Sequence, residues 1–201
     1  MRRQLWHIMV RAVVLVAAVA AVISRGGQGG APSGATPTAQ PTHPSPADSP
    51  SESTIRHAGF TTKLPVGWAD ATNRSNARSG KSFAAVLTSH STGASLVVSV
   101  VPAAPDGATV LRSVVTGQDG YDVAGPRPYR LGGAHGTTAS FKKRLGNGAV
   151  AHDRLVFVNH GAFGFAIAFS APALTYGYTS SDLAEMLSAW RWTRSQSTSP
   201  A

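Results

Sequence analysis

The residues in this chain whose types and spacing could do chemistry are mainly cationic. Lys142-Lys143-Arg144 and His152-Asp153-Arg154 flank the turn signal Asn147-Gly148, as two strands do when they face each other across a tight loop. A two-residue turn pairs Phe141 with Arg154, whereas a three-residue loop with a bulge pairs Phe141 with Leu155 and Ala139 with Phe157. Burial of apolar partners selects the second register, because a one-residue slip sends a strand's whole apolar set to the other face. Lys143 then faces Asp153, while Lys142 faces Arg154 and Arg144 faces His152 on the outer side of the sheet. Like charges directly opposite are unfavourable. A strip of Lys142, Arg144, His152 and Arg154 without an acid is therefore most easily tolerated beside an anionic partner. The plain alternative is a solvated hairpin tip whose charges keep an edge from aggregating.

Other chemistries find less support. Gly80-Lys81-Ser82 matches the end of a phosphate-binding loop, but that motif needs a glycine where Ser75 stands. No G-x-S-x-G nucleophile elbow is present. The acids Asp70, Asp106, Asp119, Asp122, Asp153, Asp182 and Glu185 are scattered over turns and caps, so no glycosidase-type carboxylate pair emerges. His90 and His160 fall at turns and His135 and His152 on strands, without the paired spacing of a metal site. The chain has no cysteine, which excludes disulfides, thiolate zinc sites, a cysteine nucleophile and a lipid-modified N-terminal cysteine. Neither a metal nor a cofactor is expected.

These residues must be positioned by a single domain, since 201 residues leave room for one globular unit plus appendages. Eighteen Lys and Arg against nine Asp and Glu give net +9, a balance that suits phospholipid headgroups, wall polymers or nucleic acid. Nucleic acid is not expected, because Trp68, Trp190 and Trp192 read as core or helix-packing residues and no stacking motif interleaves with the basic strip.

At the N-terminus, Arg2, Arg3 and Arg11 precede the unbroken apolar run AVVLVAAVAAVI at Ala12 to Ile23. Counted from Ile8, with Arg11 snorkelling, the segment reaches about 17 residues, the lower limit for crossing roughly 30 Å of hydrocarbon. Residues 1–25 therefore read as a signal-anchor, with a cleaved signal peptide as the alternative, and everything after Arg25 is expected outside the cytoplasm. Residues 26–55, dominated by Gly, Pro, Ser and Thr and nearly uncharged, read as a disordered tether. The expected globular domain is 56–195, followed by a disordered tail at 196–201.

Within the domain, alternating apolar residues predict strands at Phe60 to Leu64, Ser82 to Ser89, Ser95 to Val101, His135 to Leu145, Val150 to Val158 and Phe163 to Ser170. Asp106 caps a predicted helix carrying Val110, Leu111, Val114 and Val115, which stops at Gly117. Gly120 to Gly133 reads as turn-rich. Leu183, Met186, Leu187 and Trp190 share one face of a last helix, with Thr179, Ser180, Ser181 and Asp182 as candidate caps. Strands joined by hairpins, with helices inserted singly, predict an α+β domain with an antiparallel sheet flanked by helices.

The opening GFTTKLPVGW resembles the beginning of PsbP-like domains and of the LpqN-like lipoproteins of actinobacterial envelopes. The closing AFGFAIAFSAP strand, the Tyr176 loop and the LAEMLSAWRW helix resemble the end of the same families. The resemblance covers nearly all of 56 to 193 and implies an α/β/α sandwich. It also implies a binding or scaffolding role, since these families share no catalytic set to carry over. The chain departs from LpqN-like lipoproteins in lacking the lipobox cysteine, a loss the N-terminal anchor would make good.

The expected function is thus a non-catalytic extracytoplasmic binding or scaffolding module. It is held at the cell membrane by its N-terminal segment, or secreted if that segment is cleaved. Its partner is an envelope protein or an anionic polymer or lipid. Two other classes stay open: an envelope enzyme or accessory factor in cell-wall or lipid metabolism, and a small-ligand carrier with a pocket between sheet and helix. An enzyme would lose its phenotype abruptly at one of Asp70, His135, His152 or Asp153 on alanine substitution, whereas a binding module would tolerate all four.

Overall fold

The computed structural model describes residues 53–104 and 106–193. The signal-anchor, nearly all of the tether and the tail lie outside the described residues, apart from Ser53–Ile55, which belong to the first strand. Among the described residues no helix is long and apolar enough to cross a membrane.

The alternating apolar segments build a seven-stranded antiparallel sheet. Its strands are β3 (Trp68–Asp70), β4 (Ala85–Ser89), β5 (Ser95–Pro102), β6 (Tyr121–Leu131), β7 (Ala134–Arg144), β8 (Val150–His160) and β9 (Phe163–Pro172), in the order β3-β4-β5-β9-β8-β7-β6. A second, three-stranded sheet joins β1 (Ser53–His57), β2 (Phe60–Leu64) and β10 (Arg191–Trp192) in the order β1-β2-β10. Among the described residues three helices complete the fold: α1 (Thr72–Ser79), α2 (Gly107–Thr116) and α3 (Tyr176–Ser188).

Because successive strand residues point to opposite faces, the large sheet has two cores. On one face Val97, Phe141, Leu155 and Phe157 pack against Val110, Leu111, Val114 and Val115 of α2. On the other, Val98, Val156, Phe165, Ile167 and Phe169 pack against Leu183, Met186 and Leu187 of α3, together with Phe60 and Trp190. The small sheet is fastened to α3 by the Thr62 hydroxyl, which donates to Met186 O at 2.5 Å. The architecture is the expected antiparallel sheet flanked by helices.

Local expectations hold in part. Asp106 caps α2, its carboxylate accepting from the Ala108 amide at 2.9 Å, and Gly117 ends the helix from a right-handed conformation. Gly120 to Gly133 is not a turn region: it contains β6, an edge strand whose pairing with β7 slips twice between Tyr121 and Arg127. Gly125 and Pro126 fall at the second of these irregularities, while Pro128 pairs in register with Thr137; an edge strand tolerates both arrangements. Helix α3 begins at Tyr176, so Thr179 to Asp182 lie inside it rather than capping it. The Thr179, Ser180 and Ser181 hydroxyls donate back to carbonyls within the preceding turn. Asp182 instead accepts from the Trp68 indole at 2.8 Å. Helix α1 carried no apolar stripe to betray it. Only Thr72 is buried, and Asn76 holds the helix in place by bonding both the N–H and the C=O of Phe83.

A cationic face beside α3

The odd-numbered residues of β7 and β8 (Ala139, Phe141, Lys143, Asp153, Leu155, Phe157) are buried beneath α2. The even-numbered ones point to the α3 side, where α3 packs over β9 and leaves the edge beyond it less covered. Ser140, Lys142, His152 and Arg154 are only half-buried there, and Arg144 is exposed. All four residues of the expected strip therefore lie at one end of one hairpin.

Their pairing differs from the expected register by two residues. Lys142 faces His152, Ser140 faces Arg154, and Arg144 faces Val150. The loop does hold three residues, but they are Gly146, Asn147 and Gly148, closed by a bond from the Leu145 amide to Ala149 O at 2.7 Å. Gly148 sits at φ 81°, and a three-residue hairpin places its left-handed glycine last in the loop, which fixes the register. A slip of two keeps every side chain on its face. Lys143 and Asp153 thus still form an ion pair on the buried side, now on a diagonal, at 2.5 Å.

The slip removes the Lys142–Arg154 and Arg144–His152 oppositions on which the unpaired strip rested and leaves Lys142 opposite His152. Lys142 is also not without an acid: its Nζ lies 2.5 Å from Asp122 Oδ2 on β6. That contact holds the Asp122 carboxyl below the usual carboxylate range and raises the Lys142 ammonium. Sequence reasoning missed this partner because Asp122 lay in the stretch read as turns. Arg144 lies over the Tyr121 ring, 6.0 Å from its centroid, and Arg154 over the Tyr129 ring at 5.3 Å. Among the described residues neither arginine has a carboxylate within ion-pair distance.

His152 packs against Tyr176, ring centroids 4.6 Å apart. Burial pushes its imidazole below the ordinary value of 6.5, and the Lys142 ammonium opposite pushes the same way, against smaller upward pulls from Asp122 and Asp153. Between the folded and unfolded values the unfolded chain binds more protons, so stability rises with pH there. His152 thus contributes stability that is present above about pH 6.5 and lost as pH falls through the lowered folded value. The melting temperature should drop on acidification from pH 7.5, and less steeply in His152→Gln. Parallel slopes for the two proteins in thermal melts would refute this.

The four positions at which an enzyme was expected to fail do not come together. Asp70 sits on β3 at the opposite edge of the sheet from β7, and its Oδ2 lies 3.1 Å from His57 Nε2. His152 and Asp153 point to opposite faces. His135 and Lys142, the partner of His152, stand at opposite ends of β7, roughly 23 Å apart at about 3.3 Å per residue. Among the described residues no three His, Asp or Glu side chains gather as a metal site.

Two further arginines approach the face, Arg130 from the stretch read as turns and Arg191 from what read as the end of the last helix, which stops at Ser188 and gives way to β10. Arg130, on β6, donates to His135 Nε2 at 3.0 Å, which makes that nitrogen the acceptor and places any ring proton on Nδ1. Arg191, on β10, donates from Nη1 to Ser188 O at 3.0 Å and Trp190 O at 2.8 Å. Both lie apart in sequence from the hairpin, so only the fold reveals that they belong beside Arg154.

No protein-family model and no curated protein sequence matches the chain. Solved structures do. LpqN of Mycobacterium tuberculosis, involved in cell envelope biogenesis, is 13% identical over 71% of this chain and 91% of its own, with a TM-score of 0.50. Cyanobacterial PsbP from Synechocystis sp. PCC 6803 is 14% identical over 76% of this chain and 98% of its own, with a TM-score of 0.51. The Saccharomyces cerevisiae Ran-binding protein Mog1p is 11% identical over 71% and 96%, at 0.48. The described domain has the PsbP/LpqN-like fold.

Proposed function

We propose that this chain is a non-catalytic extracytoplasmic binding module, tethered at the cell envelope, that engages an anionic partner through the end of the β7–β8 hairpin. The observation that carries the reading is the half-open α3 side of that hairpin. There Arg144 and Arg154, each resting on a tyrosine ring and lacking a carboxylate within ion-pair distance among the described residues, lie beside Lys142 and His152. Arginine stacked on an aromatic ring keeps its planar donor fork available while losing little side-chain freedom. The dispersal of Asp70, His135, His152 and Asp153 over separate faces and edges supports a binding rather than a catalytic role. The arginine-flanked apolar run at Ala12 to Ile23 supports the envelope setting, as does the fold shared with LpqN, a protein of envelope biogenesis.

The test is in-cell photocrosslinking from a photoreactive residue at position 140, which lies opposite Arg154 on this face and leaves the cations intact. One protein or polymer should be captured reproducibly, and the capture should vanish in Lys142→Glu/Arg144→Glu. No specific capture, or equal capture by the double variant, would overturn the reading.

A further inference from the structure

Along the α3 side of the sheet, between α3 and the turn joining β6 to β7, runs an open groove of about 540 Å³ lined by Tyr129, Arg130, Arg154, Leu187 and Arg191 among others, none of them acidic. We infer that this groove is a binding site for a phosphate group, held by the guanidinium groups of Arg130, Arg154 and Arg191. The inference rests on the anionic-partner reading above, shares Arg154 with it, extends the site from there toward the turn joining β6 to β7, and gives it a ligand chemistry.

Each arginine is fixed on one side and open on another. The Arg154 Nε donates to Thr138 Oγ1 at 3.4 Å and its guanidinium lies over Tyr129, while its two Nη groups have no protein acceptor among the described residues. Arg191 is held through Nη1 by carbonyls at the end of α3, and Arg130 through Nη2 by His135. Among the described residues none of the three has a carboxylate within ion-pair distance.

Three cations along one cleft repel one another and concentrate positive potential there. A phosphate, with close to two negative charges and three acceptor oxygens, offsets that repulsion better than a single carboxylate and fits the guanidinium fork. The wall opposite is rigid: Gly132 at φ 54° packs so closely on Trp192 that a Cβ there would lie 2.9 Å from its Nε1. Neighbouring Gly133, at φ 85°, has nothing within 4 Å of where its Cβ would stand, so the mouth stays open. Leu187 and Tyr129 offer apolar surface to whatever carries the phosphate. The groove's volume falls in the range of small-molecule sites.

Isothermal titration of the full chain in nonionic detergent, with inorganic phosphate and separately with dihexanoyl phosphatidic acid, tests this. At least one probe should bind. Arg130→Gln, Arg154→Gln and Arg191→Gln should each weaken it about tenfold or more, as loss of a charge-assisted hydrogen bond does. Arg112→Gln, on α2 across the sheet, removes the same charge and should change affinity less than about twofold, as expected for a distant screened charge. Much tighter binding of the phosphatidic acid identifies a lipid headgroup as the source, and equal binding a free phosphate. Failure of both probes, or an Arg112→Gln loss as large as that of Arg154→Gln, overturns the inference. If in-cell capture from position 140 survives such a failure, the groove assignment falls and the binding-module reading stands.

Discussion

Asp153→Ala should destabilise the protein by about 3–5 kcal/mol, the cost of leaving one partner of a buried ion pair uncompensated. Asp153 and Lys143 are 3% and 6% exposed, respectively, beneath α2. Lys143 Nζ lies 2.5 Å from Asp153 Oδ2 and donates to Gln118 Oε1 at 3.0 Å, while Asp153 Oδ1 has no hydrogen-bond partner. With the carboxylate removed, the ammonium keeps a single neutral acceptor in an apolar layer that includes Phe141 and Leu155. An apolar pair of similar volume, Lys143→Met with Asp153→Leu, should recover most of the loss, because both desolvation costs then disappear. Urea denaturation with an unchanged m-value gives the comparison. A loss below about 1 kcal/mol in Asp153→Ala would mean that the pair is solvated, as surface pairs are.

This result bears on function as well. Of the four positions proposed to separate an enzyme from a binding module, Asp153 does not discriminate, since its alanine variant fails for reasons of stability. The double variant supplies the missing control. A catalytic carboxylate would stay lost in Asp153→Leu, whereas a structural pair is rescued.

How much of this was legible in the sequence depended on the kind of signal. Strands β5, β7, β8 and β9 and helix α2 announced themselves through period-two and period-3.6 apolar patterns, because each buries a face. The α+β class followed from the hairpins joining them. Edge strand β6 was illegible: its side chains are mostly exposed and its Gly and Pro residues imitate a loop. Losing β6 also lost Asp122, the acid beside Lys142, along with Tyr129 and Arg130. Helix α1 was missed because the left-handed Gly80 at its C-terminus and the Asn76 bonds to Phe83, rather than an apolar stripe, hold it. The hairpin register was misjudged by two residues because apolar pairing scores the same face at either register, and only the left-handed requirement at Gly148 separates them. The chemistry of the site, a cluster of cations around Arg154, was visible in the hairpin alone, while its other members arrive from β6 and β10.

Trp190→Ala should cost about 3–5 kcal/mol, as truncation of a fully buried aromatic does, and should damage the groove at the same time. Trp190 is 0% exposed and stacks on Phe60, centroids 4.0 Å apart and planes 9° from parallel. It meets Trp192 edge-on at 5.6 Å. Trp192 in turn donates from its indole to Leu131 O at 3.0 Å and stacks on His160 at 4.4 Å. Arg191 lies between these two tryptophans in sequence and bonds the Trp190 carbonyl, so its place at the groove depends on both being packed. The Trp190 Nε1 has no hydrogen-bond partner in its buried site. Trp190→Phe, which keeps a stacking ring and removes that unpaired donor, should therefore lose less than half as much stability as the alanine variant. Urea melts read the first effect and phosphate titration the second: alanine should weaken both, and phenylalanine should hold the affinity within about threefold while its packing survives. If phenylalanine destabilised the chain as much as alanine, an unseen partner for the indole N–H would be required, and the stacked ring could not be what seats Arg191.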